Sequence, residues 1–146
     1  MIRYFLILML VALPAHADNF AFTDLQGHAL KLSQFKGKWV LINFWGRNCA
    51  PCQAETPELV SLYRAHQGRN LAVIGIAMGE KSPSALAEYV RQQGIPYPVV
   101  LGNDIIAAQV GDFESLPATF LYDPSGDLAA AHPGAITRDI IERLIR

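Results

Sequence analysis

The feature that most constrains the fold is a pair of cysteines between an apolar run and a helix-forming segment. The run Trp39–Trp45 is short and rich in β-forming residues, so it predicts a buried strand. Cys49 and Cys52 follow it, and residues 53–63 after them have helical character. At such a junction Cys49 lies at the helix N-terminus, where unpaired N–H groups and the helix dipole stabilise a thiolate. The arrangement is typical of dithiol–disulfide exchange.

Two structural interpretations of the cysteine pair compete with the redox one. A disulfide that closes so small a ring removes little entropy from the unfolded chain, about 2 kcal/mol, which makes it a poor structural cross-link. A zinc site needs four ligands, but the chain has no third cysteine and its histidines are scattered. We therefore expect a redox-active disulfide between Cys49 and Cys52, no metal and no cofactor, because the two sulfurs carry both electrons.

The residues around this pair resemble the thioredoxin superfamily, and within it the TlpA/ResA-like branch of exported thioredoxin-like proteins. That branch typically reads N-F-W-A-x-W-C-x-P-C, with E-x-P in the following helix. The matching residues here are Asn43, Phe44, Trp45, Cys49, Pro51, Cys52, Glu55 and Pro57. Gly46 stands in place of alanine, and Asn48 in place of the tryptophan before the first cysteine. The resemblance covers nearly the whole chain from Phe20 onward and implies a thiol-disulfide oxidoreductase.

Patterns along the chain predict an α/β fold with a mixed central sheet flanked by helices, and the resemblance implies that this is the thioredoxin fold. Residues 20–32 predict an N-terminal β-hairpin, and Leu71–Ala77 predicts a second buried strand parallel to the first. Ser82 and the proline after it predict the start of another helix. With a short edge strand near residues 99–101, this unit is similar to the central helix–strand insertion of the TlpA-like branch.

The C-terminal third predicts a β-hairpin followed by a last helix. A strand after Pro117 leads through a turn at residues 123–126 into residues 127–131, and His132 is expected in the loop beyond. Thr137 is expected to cap a helix over residues 138–145. The buried stripe of that helix is predicted to comprise Ile140, Ile141, Leu144 and Ile145.

The N-terminal residues 1–17 predict a cleaved signal peptide. Arg3 supplies a positive charge, residues 4–13 are apolar, and Ala15–Ala17 form a small-x-small cleavage motif. The apolar run is too short for a comfortable membrane span, which needs about 20 residues. Cleavage would leave residues 18–146 as one thioredoxin-like domain in the periplasm or an equivalent exported location, and a retained N-terminal anchor is the alternative.

The resemblance implies roles for six residues at the site. Cys49 would be the nucleophile and Cys52 the thiol that resolves the mixed disulfide. Glu55, one helical turn beyond Cys52, would carry the proton that Cys52 loses, and the alternative is an ordinary solvated glutamate. Trp45 would flank the thiols as a contact surface. Leu116 and Pro117 match the superfamily's cis-proline position, where the backbone of the residue before the proline pairs with substrate.

Charge and resemblance together limit the partners. The formal net charge of −1 and the absence of a basic cluster in the sequence exclude a basic surface that would bind nucleic acid. We expect disulfide-containing protein substrates, a membrane or soluble electron donor, no membrane span after signal cleavage, and a monomer. Reduction is the expected direction, because the Cys-x-Pro-Cys form and the family both point to it.

Other activities on a thioredoxin scaffold remain open from the sequence. A dithiol oxidase would use the same residues in reverse. A cytochrome c maturation thioredoxin tends to carry Gly-x-Pro-Glu at the cis-proline, unlike residues 116–118. A thiol peroxidase places its reactive cysteine in a Thr-x-x-Cys context, and a copper-binding chaperone would use Cys-x-x-x-Cys with a distant histidine ligand.

Overall fold

The computed structural model describes residues 19–146, so the predicted signal peptide lies outside the described residues. Seven strands are described: β1 (Ala21–Thr23), β2 (Ala29–Lys31), β3 (Trp39–Trp45), β4 (Leu71–Ala77), β5 (Val99–Leu101), β6 (Ala118–Tyr122) and β7 (Leu128–Pro133). The α-helices in the same part of the chain are α1 (Ala50–His66), α2 (Pro83–Gln92), α3 (Asp104–Ala108) and α4 (Arg138–Leu144), and a 3-10 turn covers Leu32–Phe35.

A five-stranded mixed sheet with the order β5-β4-β3-β6-β7 carries the site. β3 pairs in parallel with β4, from Trp39 opposite Leu71 to Trp45 opposite Ala77, and antiparallel with β6 on its other side. Every residue of β3 after Trp39 is buried, because α1, α2 and α4 pack on one face of the sheet and the N-terminal hairpin packs on the other. The predicted mixed sheet is confirmed, and the cysteine pair follows the carboxyl end of its central strand.

Alternate residues of β3 face two separate hydrophobic clusters. Ile42 and Phe44 belong to the cluster that includes the residues of the N-terminal hairpin, whereas Leu41 and Trp45 belong to the cluster that includes residues of α1, α2 and α4. Asn43 lies between Leu41 and Trp45 on the second face. The pleat of the central strand therefore aims a polar amide at helix α1.

The N-terminal hairpin and the central insertion are confirmed. β1 and β2 pair antiparallel as a separate two-stranded sheet. α2 begins after Ser82, whose side-chain oxygen accepts a hydrogen bond from the Ala85 N–H at 3.2 Å, with Pro83 in the first turn. β5 lies at the edge of the main sheet, as its neighbouring prolines predicted. Among residues 19–146, no helix is long and apolar enough to cross a membrane.

Two predictions for the C-terminal region are wrong. His132 lies within β7 opposite Thr119 rather than in a loop, because the hairpin ladder continues to Pro133. Ile141 on α4 and Ile145 directly after it are buried, but Ile140 is 37% and Leu144 45% exposed. A seven-residue helix that packs against the domain through one narrow stripe buries positions four residues apart and leaves the flanking ones in solvent.

Candidate active site

Cys49 caps the N-terminus of α1. Its backbone is extended, with φ of −115°, and its sulfur accepts a hydrogen bond from the Cys52 N–H at 3.3 Å. Pro51 lies in the first helical turn, where the missing N–H costs nothing. Cys49 and Cys52 form a disulfide. Cys49 is half-buried while Cys52 is 1% exposed, so Cys49 presents the accessible sulfur of the pair.

The Leu116–Pro117 segment lies beside the cysteine pair, and its peptide bond is cis, as the resemblance implied. A Cβ atom built on Gly46 would lie 3.4 Å from Leu116 Cδ1 and 3.9 Å from Cys49 Cβ, so Leu116 and Cys49 flank this glycine. Leu116 is half-buried and makes no backbone hydrogen bond within residues 19–146. Its N–H and C=O remain available for an added strand of polypeptide.

Trp45, which was expected to flank the thiols as a contact surface, is a buried side chain. Trp45 is 5% exposed and stacks on Tyr89 of α2, with 5.9 Å between ring centroids. A Cβ atom on Gly75 of the neighbouring strand would lie 2.9 Å from the indole Nε1, so the ring packs directly against this glycine. That Nε1 has no hydrogen-bond partner in the described part of the chain. The central insertion supplies α2, which covers the indole.

Glu55 is a buried carboxyl group, 3% exposed, so the solvated interpretation is wrong. The Asn43 amide donates to Oε1 at 2.7 Å, and the Ile136 backbone N–H donates to Oε2 at 2.9 Å. The same Asn43 nitrogen also donates to Thr119 Oγ1 at 3.1 Å. Burial raises the pKa of Glu55 and outweighs these hydrogen bonds, which oppose the increase.

Two residues near Glu55 were missed by sequence reasoning. The charge of His132 acts to lower the pKa of Glu55, opposing the effect of burial. Tyr97, which is 4% exposed, has its pKa raised by burial and then by the negative charge of Glu55. His132 is on β7 and Tyr97 precedes β5, so neither shares a local motif with the cysteines. Within residues 19–146, no group of three or more His, Cys, Asp or Glu is arranged to hold a metal ion.

Residues 14–131 match the model of the AhpC/TSA family. The chain belongs to this family. It is 34% identical over 125 residues to the thiol-disulfide oxidoreductase ResA of Bacillus subtilis, covering 86% of this chain and 69% of that protein. It is 32% identical over 133 residues to ResA of Geobacillus kaustophilus, covering 91% of this chain and 76% of that protein.

Solved structures support the same assignment. A thiol:disulfide interchange protein of the thioredoxin family from Chlorobium tepidum superposes with a TM-score of 0.79 at 26% identity, covering 92% of this chain and 95% of that one. A secreted thiol-disulfide isomerase from Corynebacterium glutamicum superposes with the same TM-score at 25% identity, covering 88% and 81%. This AhpC/TSA family member therefore has the thioredoxin fold and is a thiol-disulfide oxidoreductase of the TlpA/ResA-like type.

Proposed function

We propose that the protein is an exported reductase that transfers two electrons from the Cys49–Cys52 dithiol to disulfides of other exported proteins. The observation that carries the direction is the buried carboxyl group of Glu55, one helical turn beyond Cys52. When Glu55 is ionised, its negative charge near the dithiol disfavours the thiolate form. A less stable reduced form gives a lower potential, which makes the dithiol a better electron donor.

The exchange begins with the accessible sulfur. The Cys49 thiolate attacks one sulfur of the substrate disulfide, forms a mixed disulfide and expels the other substrate sulfur as a thiolate that takes up a proton. Cys52 then loses its proton and attacks Cys49, which releases the second substrate thiol. The substrate gains two electrons and two protons, and the protein ends with the Cys49–Cys52 disulfide. An electron donor, membrane-bound or soluble, must reduce that disulfide before the next cycle.

Glu55 is proposed to accept the proton of Cys52. Cys52 is 1% exposed, so its thiol has little direct access to water. Glu55 follows it by three residues on the same helix, which places the two side chains on neighbouring turns of one face. The raised pKa of Glu55 brings the carboxyl group closer to the pKa of a thiol, which favours proton transfer between them.

Leu116 and Pro117 are proposed to hold the substrate beside Cys49. The unpaired backbone of Leu116 can hydrogen-bond to an extended substrate segment, as an added strand does at a sheet edge. The half-buried Leu116 side chain, next to Cys49 across Gly46, supplies an apolar contact for that segment. The buried Trp45 is proposed to pack in the core rather than to contact the substrate.

Export is proposed from the N-terminal segment together with the similar proteins. Residues 1–17 carry the order expected of a signal peptide, so the mature protein would comprise residues 18–146. Proteins of similar structure include the secreted isomerase from Corynebacterium glutamicum and an exposed lipoprotein thioredoxin from Streptococcus pneumoniae, which is 27% identical. An exported compartment is oxidising, which is why a reductase there needs a dedicated donor.

The test is the redox state of the protein in its native compartment. Acid-quenched thiol trapping should find the dithiol mostly reduced, and Cys52→Ala should accumulate mixed disulfides with substrate proteins through Cys49. Cys49→Ala is the matched control and should trap none. A protein found mostly oxidised, with an equilibrium potential close to that of strong periplasmic oxidants, would contradict the reductase assignment.

A dithiol oxidase is the second candidate, and the position of Cys49 is the observation that favours it. A thiolate at the N-terminus of α1 is stabilised by the helix dipole, which stabilises the reduced protein and raises its potential. Each ~30 mV of potential corresponds to ~1.4 kcal/mol for two electrons. The balance between the helix N-terminus and Glu55 therefore sets the direction, and the measured potential decides between the two candidates.

A further inference from the structure

An ion pair joins the segment before Cys49 to the start of the central insertion. Arg47 lies between β3 and Cys49, and its Nε donates to Glu80 Oε1 at 2.6 Å. The Glu80 side chain is 9% exposed and that of Arg47 is 37% exposed. Because the acidic partner is largely removed from water, solvent screens this pair less than it screens a surface pair.

Further contacts hold the same segment. The guanidinium carbon of Arg47 lies 5.8 Å from the centroid of the Tyr89 ring, and Tyr89 stacks in turn on Trp45. The backbone carbonyl of Arg47 accepts a hydrogen bond from Gln53 Nε2 on α1 at 2.6 Å. Residues 46–48 are thus attached to α1 through the backbone and to the insertion through the Arg47 side chain.

The charge of Arg47 matters because this residue precedes the proposed nucleophile by only two positions. A cation near a cysteine favours the thiolate and lowers the pKa of the thiol. A more stable thiolate makes the dithiol more oxidising. An uncompensated arginine at this position would therefore work against a reductase.

We propose that Glu80 neutralises Arg47 and positions the segment before Cys49, so that Arg47 anchors this segment without adding a net positive charge beside the reactive thiol. The inference rests on the proposed role of Cys49 in thiol–disulfide exchange and assigns the insertion a function at that site. The insertion carries both Glu80, ahead of α2, and Tyr89 within it. It thereby sets the electrostatic environment of a thiol on a different element.

The test is the titration of Cys49, read from the rate of iodoacetamide alkylation of the reduced protein against pH. Glu80→Gln keeps a hydrogen-bond acceptor but removes the charge, so the pKa of Cys49 should fall by about half a unit, a roughly threefold larger ratio of thiolate to thiol at a given pH. Arg47→Gln leaves the Glu80 charge and should raise the pKa by a similar amount. The double variant should return close to the wild-type titration.

Two controls separate charge from structure. Arg47→Lys keeps the charge and should keep the titration, whereas Glu88→Gln removes an acid from the exposed Arg91–Glu88 pair on α2 and should change nothing. Shifts of the same sign in Glu80→Gln and Arg47→Gln, or no shift in either, would overturn the inference. If Arg47→Gln fails to fold, Glu80→Gln and Arg47→Lys still decide it, since a charge effect predicts a lower pKa of Cys49 in the first and an unchanged pKa in the second.

The titration is independent of the proposed direction of electron flow. Alkylation reports the Cys49 thiolate whether the protein reduces or oxidises its partners. A protein found oxidised in its compartment would overturn the reductase proposal while leaving the titration shifts measurable. Unshifted titrations in a protein that still reduces its substrates would overturn the role of the ion pair alone.

Discussion

At the scale of single residues, Glu55 is a buried carboxyl group three positions after Cys52 on α1. A buried carboxylate is costly unless hydrogen bonds or a cation compensate it. Glu55 has two hydrogen-bond donors, the neutral amide of Asn43 and the Ile136 backbone N–H, and no salt-bridge partner among the described residues. The compensation is incomplete, so the proton is held more tightly than in water.

Replacing this carboxyl group should change the pH dependence of stability. Because the pKa of Glu55 is raised in the folded protein, the fold binds its proton more tightly than the unfolded chain does. The oxidised wild-type protein should therefore lose stability as pH rises from about 4.5, the ordinary value, through the raised pKa. Glu55→Gln should lack this loss. Urea unfolding of both proteins between pH 4 and 8 measures it, and parallel stability curves would contradict the prediction.

The same substitution should also slow the second step of exchange. Without Glu55 the buried Cys52 thiol loses the proposed acceptor for its proton, so attack on the mixed disulfide should slow by about ten- to a hundredfold. The first attack by Cys49 should be affected less. Stopped-flow measurement of mixed-disulfide formation and decay separates the two steps. Equal rates of mixed-disulfide decay in Glu55→Gln and wild-type protein would show that Glu55 has only a structural role.

At the scale of elements, the docking of α4 on α1 positions one of the two donors to Glu55. The Arg138 backbone N–H donates to Glu58 Oε2 at 3.0 Å, and the Arg138 side chain donates to Ser61 Oγ at 2.9 Å. Both acceptors belong to α1, the helix that carries Glu55. Because Ile136 comes just before α4, these contacts hold its N–H against the carboxyl group.

Truncation on the two sides of α4 should have unequal effects. Ile141 is 1% exposed within the core, whereas Leu144 on the same helix is 45% exposed. Ile141→Ala should lower the free energy of unfolding by about 2–4 kcal/mol through lost burial and a cavity, and Leu144→Ala by about 1 kcal/mol or less. Urea unfolding of the oxidised proteins measures both. Comparable losses of unfolding free energy in the two variants would mean that Leu144 also supports the packing of α4.

At the scale of the whole molecule, the first described residues close one of the two cores. Phe20 is 1% exposed, stacks on Phe22 with 4.7 Å between centroids, and meets the edge of Tyr122 at 5.7 Å. These rings cover the face of the sheet opposite α1. The domain therefore begins no later than Phe20. The predicted cleavage after Ala17 keeps Phe20 and its packing in the mature protein.

The packing of Phe20 and Phe22 predicts where the chain can be shortened. A chain that starts at Asp18 should fold with the full stability of the domain. A chain that starts at Thr23 lacks both Phe20 and Phe22 and should be less stable by at least about 3–5 kcal/mol, the cost of truncating one buried phenylalanine. Thermal unfolding of the two proteins makes the comparison. Equal melting temperatures would show that the N-terminal rings do not support the core.

The local patterns of the sequence determined most of the fold and the identity of the reactive pair. The buried strand before Cys49, the helix after it, the Ser82 cap and the cis bond before Pro117 are all confirmed. The strands, helices and caps depend on residues within a few positions of one another, so hydrophobic periodicity and capping chemistry identify them. The cis bond is different, because only the resemblance to the superfamily predicted it.

Only the tertiary structure decided how the site is tuned. Glu55 is paired with Asn43 on another element and with Ile136, 81 positions away in the chain. Trp45 changes from an expected contact surface to a core residue because α2 covers it. Burial and electrostatic interactions depend on which distant segments meet, and no local pattern records that. The sequence therefore determined which two cysteines form the pair, while the packing of distant elements decided the environment that raises the pKa of Glu55.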